Sequence, residues 1–178
     1  MKFITLGALL LAGLTLSACA LTPVFPPDVA EGVDPDFDFA RWRMLPNQAE
    51  AKKIQLGGRI VNAETKGDKV AIAVAQLPIV EHPAYGPKDT GKSNGEFAIT
   101  FEGTIKPTFL QPGNRLIVIG TTHAPTVVNV NDLPRSLPTI LAICVHFWKT
   151  GGRDIADFPS YGGGYEPLQE ETVCRTNH

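Results

Sequence analysis

The chain has 178 residues, 16 Lys and Arg against 18 Asp and Glu, a net charge of −2, and 43% hydrophobic residues. That balance excludes a nucleic-acid binder built on clustered basic residues, and the apolar share excludes a wholly disordered chain. Fifteen prolines and seventeen glycines predict many loops and few long helices.

Met1-Lys2 opens the chain with one positive charge, and an apolar run follows from Phe3 to Leu16. The run is too short for a hydrocarbon core, which needs about 20 apolar residues, and reads as a secretory signal. It ends Leu16-Ser17-Ala18-Cys19, which resembles the bacterial lipobox. That motif implies cleavage before Cys19, an S-diacylglycerol on its thiol, and an N-acyl chain (palmitate or similar) on the freed amine. Each buried CH₂ contributes ~0.8 kcal/mol, so three chains would make release negligible. Ala20 stands where Asp would retain such a protein in the inner membrane, which favours the outer membrane. Without residues 1–18 the chain has 160 residues and a net charge of −3, enough for one domain plus tails.

Residues 19–52 carry Pro23, Pro26, Pro27, Pro35 and Pro46 with Asp28, Glu31, Asp34, Asp36 and Asp38. They read as an extended acidic tether that stands the domain off the membrane. Phe37, Phe39, Trp42 and Met44 are out of place in a linker; they predict packing against the domain or a short helix from Phe39 to Met44, and leave open a partner-binding motif.

The domain is predicted over 53–150, with strands over 54–62, 69–77, 96–102, 115–122 and 139–148. Gly57-Gly58 in the first marks a bulge or a close backbone crossing. In the second, Val70, Ile72 and Val74 alternate with alanines, so one face is core. Residues 115–122 are nearly all apolar and read as buried on both faces. A loop or short hairpin is expected over 123–138, with Pro125, Pro134 and Pro138. Residues 151–178, rich in Gly and Tyr, are expected to be a flexible tail. Five strands and no long helix predict an all-β fold, a small five-stranded OB-like Greek-key barrel, with a β-sandwich as the alternative.

Cys144 and Cys174 are left as an even pair in an oxidising compartment. A bridge between them would stabilise by roughly 3–4 kcal/mol, but the sequence leaves two separate thiols equally open. The histidines, at 82, 123, 146 and 178, are not at metal-ligand spacing; His146 and Cys144 share a strand face, but two ligands do not make a zinc site. No G-x-S-x-G elbow is present, and Gly162-Gly163-Gly164 lacks the Lys-Ser/Thr of a phosphate loop. No catalytic residue, metal or cofactor is predicted beyond the lipid on Cys19.

From Lys53 to Trp148 the chain resembles the Slp family of starvation-inducible outer-membrane lipoproteins. The resemblance is carried by the lipobox, Gly57-Gly58-Arg59-Ile60-Val61, Ile72 to Pro78, Gly95-Glu96-Phe97, Gly113-Asn114-Arg115, Val118-Ile119-Gly120 and His146-Phe147-Trp148. Glu96 and Lys106 depart from it with reversed charge, which would be compensated if the two positions pair. The resemblance implies a non-enzymatic, lipid-anchored outer-membrane protein related to stress or stationary phase, its domain facing the periplasm, with no nucleic-acid partner. The alternative is a binding module for a small ligand or envelope protein through loops 78–95 and 103–114, with His82, Tyr85 and Phe109 as candidate lining.

Overall fold

The computed structural model describes residues 24–46, 50–91, 94–130, 132–158 and 167–176. The leader, Cys19, the Gly162-Gly163-Gly164 run and His178 lie outside them. The fold is all-β. Its strands are β1 (Lys53–Lys66), β2 (Lys69–Leu77), β3 (Ile79–Val80), β4 (Gly86–Pro87), β5 (Glu96–Glu102), β6 (Arg115–Val130), β7 (Leu133–Trp148) and β8 (Glu170–Cys174). Two short helices, α1 (Pro27–Ala30) and α2 (Phe39–Met44), precede them, and a 3-10 turn spans Ile155–Asp157.

β1 and β2 form a hairpin through Gly67-Asp68, where Gly67 takes a φ of +63° that a side chain would resist. β2 then pairs with β5, β5 with β7 in parallel, β7 with β6, and β6 with β1. The succession returns to its start, so each of these five strands has a neighbour on both sides. β8 adds to the outer edge of β7.

Alternation decides what fills the ring. Ile54, Leu56, Val70, Ile72, Val74, Phe97, Ile99, Phe101, Leu116 and Val118 point inward into one buried cluster. Two bulges within the ring reset the phase, and a third register shift, between His123 and Thr126, lies at the root of the 123–138 segment. Val61 is the extra residue in β1, and Ile143 the extra residue in β7, so Ala142 and Val145 both face inside. The glycine pair lies three residues before the first bulge and acts by close approach. A Cβ on Gly58 would meet the Ala75 carbonyl oxygen at 2.5 Å, and one on Gly57 would meet Ile79 at 2.7 Å.

Both ends of the ring are plugged. At the Phe97 end α2 inserts Phe39 and Trp42, with the Phe39 and Phe97 rings 5.9 Å apart. Asp38 starts this helix by accepting from the Arg41 amide, as an N-cap should. At the Phe147 end the 103–114 loop inserts Ile105 and Phe109, and Phe109 stacks 6.1 Å from Phe147.

Three expectations change here. From Val24 onward the N-terminal segment is no stand-off tether. Phe25, Phe39 and Trp42 are buried, and burying the two phenylalanines contributes about 1.5–3 kcal/mol each. The helix falls on Phe39–Met44 as read, but Met44 itself is exposed. Residues 123–138 are a long two-stranded arm, because β6 runs on to Val130 and β7 begins at Leu133. Within the stretch expected to be a flexible tail, Glu170–Cys174 joins the sheet.

Candidate functional site

The outer face of the ring carries two separate coverings, and the titratable groups of interest sit beneath or beside them. The first is a strap, residues 24–34. It carries Val24, Phe25, Val29 and Val33 onto Ile117, Ile119, Cys144 and Trp148, which explains why β6 is buried on both faces. Its far end is tied where the Asp34 amide donates to the Lys53 carbonyl and Lys53 Nζ donates to the Glu31 carbonyl at 2.6 Å. Lys52 Nζ lies 2.6 Å from the Asp34 carboxylate, and this hydrogen bond holds the Asp34 pKa below its ordinary value.

Beneath the strap's start is His146. Its Nδ1 is 2.7 Å from the Thr172 hydroxyl, which donates to the Val24 carbonyl at 3.0 Å. Its ring packs 4.2 Å from that of Trp148 and edge-on to Phe25. Burial pushes the imidazole pKa down, against the pull of the Glu170 carboxylate 3.5 Å from Nε2. Cys144 and Cys174 are joined by a disulfide across the β7–β8 register. The bridge takes the Cys144 thiol away from any pairing with His146, and the described residues hold no group of three His, Cys, Asp or Glu placed to bind a metal.

The second covering is the arm. Val128, Val130 and Leu137 lie on Ala73 and Ala98, with Val61 and Ala71 beside them. The alanines of β2 are thus the bed for a ribbon that needs close approach. Asn62 donates to the Asn129 carbonyl, Asn129 donates to Glu64, and Arg135 pairs with Glu96. A groove of about 240 Å³ remains between arm and bed, bordered by Lys66, Lys69 and Thr126. On the outside of the arm Val127 and Leu133 are 66% and 65% exposed.

The loop residues named from sequence do not converge. His82 is exposed. Tyr85 is half-buried next to the strap, its hydroxyl accepting from Gln55 Nε2 at 3.3 Å. Phe109 is inside the ring. The 103–114 loop cannot open freely as a ligand lip, because buried Asn114 donates to the Thr108 and Phe109 carbonyls and accepts from the Gly151 amide. Nor do Glu96 and Lys106 pair with each other. Glu96 takes Arg135, and Lys106 takes Glu171 at 2.7 Å.

The sequence reading missed an ion network at the Phe147 end. Arg115 is 1% exposed, with Nη2 3.0 Å from Asp154 and Nη1 3.9 Å from Asp89, while Arg59 reaches the same Asp89 at 3.5 Å. Arg59 and Arg115 are direct cross-strand partners, and like charges in that position repel. Asp89, brought in by the 78–95 loop, relieves them. The signal in the sequence was an arginine opening an otherwise apolar strand.

The site thus belongs to a small all-β domain whose residues 24–34 strap one outer face of the ring. The chain belongs to the Outer membrane lipoprotein Slp family, matched over residues 16–171, and it resides at the outer membrane. No curated protein and no solved structure matches it.

Proposed function

We propose that this is a non-enzymatic envelope lipoprotein acylated on Cys19, its domain an OB-like five-stranded Greek-key barrel facing the periplasm, with a structural or interaction role in stress or stationary phase. The observation that carries the reading is the family match, which begins at Leu16 and so takes in the lipobox and nearly the whole domain. The closed succession of pairings among β1, β2, β5, β7 and β6 supports the barrel. The filled interior supports a structural role: Ile72, Phe97, Phe101 and Phe147 pack the inside of the ring.

The test is fractionation of cells producing the wild-type chain and Cys19→Ser. The wild type should sediment with outer membranes and the variant should be lost from that fraction, as a soluble chain or as a precursor that keeps its apolar leader in the inner membrane. A variant that still fractionates with outer membranes overturns the anchor. Transcript and protein levels in exponential and stationary culture test the physiological part; equal levels would discard it.

A further inference from the structure

The strap changes how far a lipid on Cys19 would let the domain move. Only five residues, Cys19 to Pro23, separate that thiol from Val24. Val24 is fixed: its carbonyl accepts from Thr172 of β8, and the next side chain, Phe25, is 5% exposed beneath the strap. Five residues fully extended span at most about 18 Å. The headgroup layer takes roughly 5–8 Å of that reach. A domain of this length is about 35–40 Å across, so the leash is less than half the body it holds.

The leash ends on a particular feature. β8 is the outer strand of its sheet, paired on one side with β7 and, among the described residues, with nothing on the other. Exposed cations bracket it, and two carboxylates lie between them: Glu171, paired with Lys106, and the exposed Glu170, 3.5 Å from His146. The Lys149 amide donates to the Gln169 carbonyl just before β8, and the Arg175 amide donates to the Ile143 carbonyl just after it. Arg175 has no ion-pair partner among the described residues, so its guanidinium is available to a phosphate. The arm leaves β7 at the other end of the strand, with Leu133 thirteen residues before His146.

We propose that the mature protein lies on the bilayer by its β8 edge, with the Lys149 and Arg175 flanks against phospholipid headgroups, and that the arm faces away from the lipid. The inference rests on the acylation of Cys19 proposed above. It replaces a domain on a spacer with one held flush, whose protein partners must reach it at the membrane surface.

The experiment is amide hydrogen exchange on the full acylated protein in vesicles of phosphatidylethanolamine and phosphatidylglycerol, compared with the unacylated Cys19→Ser chain mixed with the same vesicles. Peptides covering 167–176 and 24–33 should exchange at least about fivefold more slowly in the acylated sample, and those covering 126–137 should be unchanged. A second variant carries twelve Gly and Ser residues inserted after Ala20. It should return the two slowed peptides to the unacylated rate while remaining vesicle-bound. Acylated protein with no slowing at β8, or with equal slowing in the long-leash variant, overturns the docked orientation and leaves the anchor standing. An intact mass without acyl chains overturns both readings together.

Discussion

The strap and the arm both cover the outside of one ring of strands, yet they do so by opposite means. The strap lies on large residues, Ile117, Ile119 and Trp148, and is itself thin: a four-residue helix and irregular chain held by a few apolar side chains. The arm lies on alanines and is thick, a two-stranded ribbon with its own ladder. Where the bed already supplies bulk, single side chains such as Phe25 suffice to seal it. Where the bed is flat, a whole ribbon can approach and bring its valines. The strap is also the more firmly secured, because Thr172 of β8 holds Val24 and a disulfide holds β8.

Breaking the covalent part should have the largest effect. Cys174→Ser should destabilise by about 3–4 kcal/mol, the value expected for a loop of this length, and should free β8 and the strap before the arm. Urea denaturation gives the first number and peptide-resolved amide exchange gives the order. Phe25→Ala removes the strap's main buried ring and should cost about 3 kcal/mol, with faster exchange over 24–34 and an unchanged arm. The reciprocal change is Ala73→Leu, which overfills the bed under Val128 and Leu137. It should cost about 2 kcal/mol and loosen 126–137 while sparing the strap. If either substitution loosened both coverings equally, they would not be independent.

A pH series sharpens the same contrast. Burial lowers the His146 pKa in the folded protein, so the unfolded chain takes up its proton first. Stability from this group is full above its ordinary value near 6.5. It is lost as the pH falls from there toward the depressed folded value. Thermal melts should therefore show a drop on acidification that His146→Gln reduces, and the strap peptides should carry it. The smallest effect belongs to the arm's outer surface. Leu133→Ser should change stability by less than about 0.5 kcal/mol, since the side chain covers nothing.

Much of the ring was legible in the sequence. The alternation of Val70, Ile72 and Val74 with alanines located β2 from Lys69 to Leu77, and Phe97, Ile99 and Phe101 located β5. Hydrophobic period is a local property, so it survives without knowledge of the partners. The coverings were not legible, for reasons specific to each. Pro125, Pro134 and Pro138 read as strand breakers, but Pro125 and Pro138 fall in the register shift between His123 and Thr126, and Pro134 lies near the tip of the arm, where a missing N–H is tolerated. The strap was read as tether because Pro26 and Pro27 stand among the acidic Asp28, Glu31 and Asp34, while its place is set by Ile117 and Ile119 more than 80 residues away. β8 has one strongly apolar side chain, Val173, and is positioned by the edge of β7 and by Cys144. The ion pairs failed in the same way, since Glu96 and Lys106 find partners 39 and 65 residues distant.

The account turns on residues 24–46 being part of the domain, for both the strap and the short leash follow from it. Residue-resolved amide exchange on the unlipidated chain from Ala20 onward tests this most directly. The amides of Asp34, Trp42 and Leu45, bonded to the carbonyls of Lys53, Asp38 and Arg41, should be protected well above free-peptide rates. Exchange at free-peptide rates throughout 24–46, with the sheet amides still protected, would contradict it.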